Sequence, residues 1–112
     1  MPRVKGAVNA LKHRRKVLKR AKGFRHGRGT KEKLANESIY HAGNHAFDHR
    51  KAKKNTFRQL WNTRIGAALR QYELSYSKFM GMLKKAEIGI DRKILATLAA
   101  DEPEAFASIV EA

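Results

Sequence analysis

All of this chain's excess positive charge lies in its first half. Residues 1–58 carry 18 Lys and Arg against Glu32, Glu37 and Asp48, a net of +15. Residues 59–112 carry 7 Lys and Arg against 7 Asp and Glu, a net of zero. Such a division sets different physical requirements on the two halves. The first repels itself and needs a polyanion to neutralise it, and the second is balanced enough to fold as a small domain. The polyanion that suits this density of charge is a nucleic acid.

A chain of 112 residues holds at most one ordinary domain plus an appendage. The neutral half has about 54 residues and sits near the lower size limit for a free-standing core. With no cysteine, there is no disulfide, thiol nucleophile or thiolate zinc site, which fits a reducing compartment. The opening MPRVKG leads into no apolar stretch of signal-peptide length, and Ile94 to Ala100 falls far short of the roughly 20 apolar residues that span a bilayer. The expectation is a soluble, cytoplasmic protein without a membrane segment.

Val4, Val8 and Leu11 recur at helical spacing, and Val17, Leu18 and Ala21 continue the series, predicting a thinly amphipathic helix over 8–22. Gly23 stops it, GFRHGRG forms a glycine-broken basic turn, and Thr30 is the expected N-cap of the next helix. No proline interrupts residues 31–102, so one long helix is expected over 31–71, with Gly43 its weak point. Such a helix would rise roughly 60 Å, more than any domain this chain could build, so part of it must project.

After Lys54 the pattern sharpens into an apolar stripe of Phe57, Leu60, Trp61, Ile65, Ala68 and Leu69. Ser75 is positioned to cap a helix carrying Phe79, Leu83 and Ala86. Ile88-Gly89-Ile90 then turns the chain. Asp91 is the expected cap of a helix with Ile94, Leu95, Leu98 and Ala99 inward. Asp101 and Glu104 are spaced as a capping box around Pro103, ahead of a last helix carrying Phe106, Ile109 and Val110. No period-two pattern occurs. The fold class is all-α: a long basic helical N-terminal extension, residues 1–57, joined to a small C-terminal helical bundle, residues 58–112.

Lys12, His13, Arg14, Arg15 and Lys16 follow one another, and at 100° per residue they sample the whole circumference of a helix. His49-Arg50-Lys51 with Lys53-Lys54 nearly does the same. A membrane-surface helix needs one basic face opposite a broad apolar one. All-round charge instead suits insertion among phosphates, with ordering upon binding. Phe24, Tyr40, Phe47 and Phe57 interleave the charge; they can stack on unpaired bases or pack on the arm's own sparse apolar side. Glycines in the basic turn let backbone N–H groups approach phosphate.

His41, His45 and His49 share one helix face at a spacing that can hold a metal between imidazoles. Neighbouring cations and the lack of a completing carboxylate favour imidazoles facing phosphate, so binding should strengthen as pH falls toward 6. No metal or other cofactor is expected. Ser75-Tyr76-Ser77-Lys78 matches the S-x-x-K string of serine acylases, but its partner motifs are missing, and helix capping explains the same residues. Neither a phosphate-binding loop, a carboxylate pair nor a catalytic triad can be assembled. The chain reads as a non-enzyme.

RQLWNTRI, SYSKFMGMLKKA and IDRKILATLA, together with the opening MPRVKGAVNALKHRRKVLKRAKGFRHGRG, resemble the bacterial large-subunit ribosomal protein twenty family over essentially the whole chain. The resemblance implies a basic extension threaded through large-subunit ribosomal RNA and a helical domain near the particle surface, beside neighbouring large-subunit proteins. It further implies an early role in subunit assembly and, in some bacteria, repression of translation through the protein's own messenger RNA. Carried over by position, Arg3, Lys5, Arg14, Arg15, Lys16, Lys19, Lys22, Arg25, Arg28, Arg50, Lys51, Lys54 and Arg58 become phosphate contacts, joining Lys12, His13 and Phe24 of the basic arm. Trp61, Arg64, Ser75, Ser77 and Lys78 become contacts on the domain's RNA-facing side, with core packing the competing reading for Trp61. Three features depart from the family pattern: Gly29-Thr30-Lys31-Glu32-Lys33 lacks an aromatic and adds an acid, Asn62 and Gly66 stand in the long-helix motif, and residues 110–112 carry no basic tail. On charge and helicity alone, the alternative is a nucleoid-type DNA-compacting protein.

Overall fold

The computed structural model describes residues 1–3 and 5–112; Val4, the first member of the expected apolar series, lies outside them. The elements are α1 (Ala7–Arg20), α2 (Glu32–Leu69), a 3-10 turn (Arg70–Tyr72), α3 (Tyr76–Lys85), α4 (Arg92–Asp101) and α5 (Pro103–Glu111). Among the described residues there is no strand, and the fold is all-α. The chain divides into two compact units, residues 1–50 and 51–112, with the boundary inside α2.

In the first unit α1 ends two residues earlier than its periodicity suggests. Ala21 is its C-cap and donates to the Val17 carbonyl at 3.1 Å, and Lys19 and Arg20 in the last turn face the negative helix pole. Val17, Ala21 and Ala35 are buried, with Leu18 and Ile39 packed against them. Alanines let the backbones of α1 and α2 come close, yet this cluster is too small for a stable core. Val8 and Leu11 remain outside it, 64% and 53% exposed.

The linking turn is built on left-handed residues. Gly23 (φ 90), His26 (φ 55) and Gly27 (φ 76) reverse the chain, and a Cβ on Gly29 would stand 3.1 Å from the Phe24 carbonyl oxygen. Thr30 is not the cap of α2. Its hydroxyl donates to the Gly27 carbonyl at 3.3 Å, and the first turn of α2 closes from Ala35 N–H to the Lys31 carbonyl at 2.8 Å. The helix then runs unbroken through Gly43.

The second unit is organised by a core of Ile65, Leu69, Phe79, Leu83, Leu95, Ala96 and Phe106. The Phe79 and Phe106 rings lie 5.8 Å apart, tilted by 49°. Two corners deliver the helices to this core, and both have Schellman geometry without glycine. Glu73 (φ 55) donates to the Arg70 carbonyl while Leu74 donates to Leu69, and Glu87 (φ 57) donates to Lys84 while Ile88 donates to Leu83. Ser75 caps α3 as expected, its Oγ accepting from Lys78 N–H at 3.4 Å.

Four expectations are corrected here. Asp91 occupies the cap position of α4, but its side chain makes no cap hydrogen bond. Asp101 is the last residue of α4 and Glu102 the cap residue of α5, so Asp101 and Glu104 form no capping box, although Pro103 does open α5. Ile94 points outward, 53% exposed, and Ala96 takes the buried place. Phe57, Leu60 and Ala86 are exposed rather than inward.

Gly66 sits mid-helix in α2 with open space where a Cβ would stand. Gly66→Ala should therefore stabilise the protein by about 0.5–1 kcal/mol by restricting the unfolded chain. A rise in the thermal midpoint of the full chain is the expected reading, and no rise would mean that the site is tighter than it looks.

Candidate nucleic-acid interface

From Tyr40 to Leu60 every residue of α2 is exposed, twenty-one in succession. A surface helix of a globular protein buries one stripe and exposes the opposite face. This stretch exposes its entire circumference, with Arg50, Lys51, Lys53, Lys54 and Arg58 distributed around it. Helices without a packed face are marginal in water, since tertiary burial supplies most helix stability. The segment therefore presents charge and aromatic surface in every direction without a core of its own.

Within it, Lys53 Nζ lies 5.9 Å from the centre of the Phe57 ring, and that ring lies 6.4 Å from Trp61. This sandwich of cation, exposed ring and indole runs along α2 within the second unit, from the fully exposed stretch toward the core. Trp61 itself is half-buried and packs against the Ile65/Leu69 cluster. Its position therefore serves packing while leaving part of the ring accessible. Arg58 donates to Asn55 Oδ1 at 3.3 Å within the helix.

The imidazoles at 41, 45 and 49 do line one side. His45 and His49 stack at 5.9 Å, and His41 Nε2 stands 3.6 Å from a Glu37 carboxylate oxygen. Among the described residues no group of three or more His, Asp or Glu side chains is placed to hold a metal ion.

In the first unit, Arg3, Lys5, Lys12, Arg15, Lys16, Lys19, Lys22, Arg25 and Arg28 are all exposed. Two further candidates carry structural contacts as well. Arg14 Nη2 donates to the Thr30 carbonyl at 2.9 Å, and His13 Nε2 lies 3.4 Å from Glu32 Oε1. These contacts tie α1 to the end of the turn and to the first residue of α2. Phe24 lies at the lip of that turn with its ring partly exposed.

In the second unit Arg64, Ser77 and Lys78 are exposed. Ser75 Oγ is already committed as the α3 cap, which also accounts for the S-x-x-K string. Ser77 and Lys78 occupy the first turn of α3, where the positive helix pole adds to the lysine charge. Arg20, Lys31, Lys33 and Lys53 are equally exposed and extend the basic surface beyond the candidate set. Charge alone could have pointed to them.

The model of the family described as ribosomal protein L20 matches residues 3–109. The chain is similar to the large ribosomal subunit protein bL20 of Acidovorax sp. strain JS42, 51% identical over 111 residues that cover 99% of this chain and 93% of that one. It is similarly close to bL20 of Leptothrix cholodnii, at 50% identity with 99% and 94% coverage. With bL20 of Acaryochloris marina the identity is 48%, with 99% and 96% coverage.

Proposed function

Because the chain belongs to the ribosomal protein L20 family, we propose that it binds large-subunit ribosomal RNA directly through its basic arm and organises that RNA early in subunit assembly. It is a structural component of the large ribosomal subunit in the cytoplasm, and not an enzyme. The finer reading rests on one observation above the others: a twenty-one-residue stretch of α2 exposed all round and studded with cations. Phosphates on several sides supply what a packed core supplies to other helices, a favourable environment for the helix and its charge together.

In this reading residues 1–57 are the RNA-binding extension and residues 58–112 the globular anchor. Exposed Lys and Arg of α1, the glycine turn and α2 meet phosphates. Phe24 and Phe57 offer faces to unpaired bases, and Trp61, Arg64, Ser77 and Lys78 mark the anchor's RNA side. Ser75 contributes by capping the α3 N-terminus. The imidazoles at 41, 45 and 49 face phosphate along one side of α2. Repression of its own messenger RNA fits the same basic surface.

Hydrogen exchange tests the central claim. Amides of Tyr40–Leu60 should exchange rapidly in the free protein and become protected within purified large subunits. Equal, rapid exchange in both states would leave the arm outside the RNA. A fragment of residues 56–112 should stay helical and monomeric, whereas residues 1–55 alone should melt without cooperativity. A cooperative melt of that N-terminal fragment would contradict the proposed division.

A further inference from the structure

Residues 94–112 contain Asp101, Glu102, Glu104 and Glu111 and not one Lys, Arg or His, a net of −4. Residues 1–93 carry all 25 Lys and Arg against 6 Asp and Glu, a net of +19. The four terminal acids are exposed. A surface of this sign is repelled by phosphate, so this end of the second unit faces something other than RNA.

The same end has an apolar opening. Asp91, Lys93, Ile94, Thr97 and Leu98 line a groove of about 390 Å³ along α4. Ile94 stands 53% exposed there, and Leu98 is half-buried beside it. Asp101 lies seven residues beyond Ile94, two helical turns along the same face. The groove carries Asp91 and Lys93 at its start, and the exposed acids Asp101 and Glu102 follow beyond Leu98 at the end of α4.

Asp101 is also at the wrong pole for a helix on its own. It sits in the last turn of α4, where backbone carbonyls already concentrate negative charge, and that turn contains no basic residue. Glu104 differs, because it lies in the first turn of α5 and meets a positive pole. An anion placed on a negative pole next to an exposed isoleucine suits an incoming cation attached to an apolar anchor.

We propose that the α4 face bearing Ile94, Thr97 and Leu98 docks a Lys/Arg-rich segment of a neighbouring protein, its apolar side chain entering beside Ile94 and its cations meeting Asp101 and Glu102. The inference goes beyond RNA binding and rests on the chain's place in the large subunit. Charge complementarity selects the occupant: pairing with the same face of a second copy would set acid against acid, a second copy's basic arm is given to RNA in the proposed function, and RNA itself would bring phosphate. An apolar centre that docking would bury, with a polar rim, is the ordinary anatomy of a protein interface.

The test uses whole large subunits carrying the full chain with the photoreactive residue p-benzoylphenylalanine in place of Ile94, and a second preparation with it in place of Lys19. Irradiation should join position 94 to a protein segment of net positive charge, identified by peptide mass spectrometry, and position 19 to RNA. Introducing Asp101→Lys with Glu102→Lys should lower the yield at position 94 by about ten-fold, since like charges then face each other across the rim. The same pair should change the thermal midpoint of the free chain little, because relief of the α4 pole offsets the new cation at the α5 N-terminus, so unfolding cannot explain the loss. Cross-linking of position 94 to RNA, to a neutral or acidic segment, to a second copy, or to nothing would overturn the proposal, as would a yield indifferent to the charge reversal. If position 94 fails while position 19 still reaches RNA, the docking face alone is wrong. If neither chain is found in large subunits, the proposed function fails and takes the docking face with it.

Discussion

Raising monovalent salt from about 50 to about 200 mM should weaken binding of the full chain to large-subunit ribosomal RNA by about 10⁴- to 10⁵-fold. The magnitude follows from counting charges that can reach phosphate. Fourteen Lys and Arg candidates lie between Arg3 and Arg58, and all fourteen are exposed. Arg14 also holds the Thr30 carbonyl, so its charge is fixed in place at the turn. If about ten of these release counterions, log affinity falls against log salt with a slope of about −7 to −9. Binding should also increase helicity, because the exposed stretch of α2 has no packed face to order it beforehand. A filter-binding or fluorescence titration over salt gives the slope, and circular dichroism of the complex gives the ordering. A slope shallower than about −3 would mean that the arm lies mostly outside the RNA.

The proposed division of labour behind that slope is legible in the sequence because charge and period are long-range averages. A net of +15 confined to one half, and a wide apolar i, i+3, i+4 stripe that strengthens only after Lys54, survive errors at individual residues. Local choices were less legible. The chain reverses at Glu73 and Glu87 in left-handed conformations usually given to glycine, so no residue type announces either corner. Ile94 and Leu95 are adjacent and both apolar, and only the packing of α4 against α5 decides which is buried; Leu95 and Ala96 go in and Ile94 stays out. Asp101 and Glu104 have capping-box spacing, but α4 runs through Asp101 and moves the break to Glu102. The packing of Val17 and Ala21 on Ala35 escaped sequence reading because alanine contributes almost nothing to a periodic apolar signal. For the candidate interface, composition identified the exposed cations well. It could not reveal that Arg14 and His13 double as ties from α1 to the end of the turn and to the first residue of α2, since those contacts join residues 16 and 19 positions apart.

Phe106→Ala should unfold the second unit. Phe106 is 1% exposed and stands 5.8 Å from the equally buried Phe79 ring. Removing a buried phenylalanine costs about 3–5 kcal/mol, through lost transfer energy and the cavity left behind. A core of seven buried side chains in a unit of 62 residues, with no disulfide to limit its unfolded chain, is worth on the order of 3–5 kcal/mol in total. The two figures are equal in scale, so the variant should be largely unfolded at 25 °C, with loss of dispersed side-chain NMR signals from residues 60–112. Ile94→Thr, an exposed change on the neighbouring helix, should shift stability by less than about 0.5 kcal/mol and serves as the contrast. The steep salt dependence of RNA binding should persist in Phe106→Ala, because the arm's cations need no packed core to meet phosphate, while affinity at fixed salt falls with the loss of the anchor. A variant that keeps its cooperative melt would show that the aromatic pair is peripheral to this core. One that loses the salt slope along with the fold would show instead that the arm depends on the folded anchor to present its charge.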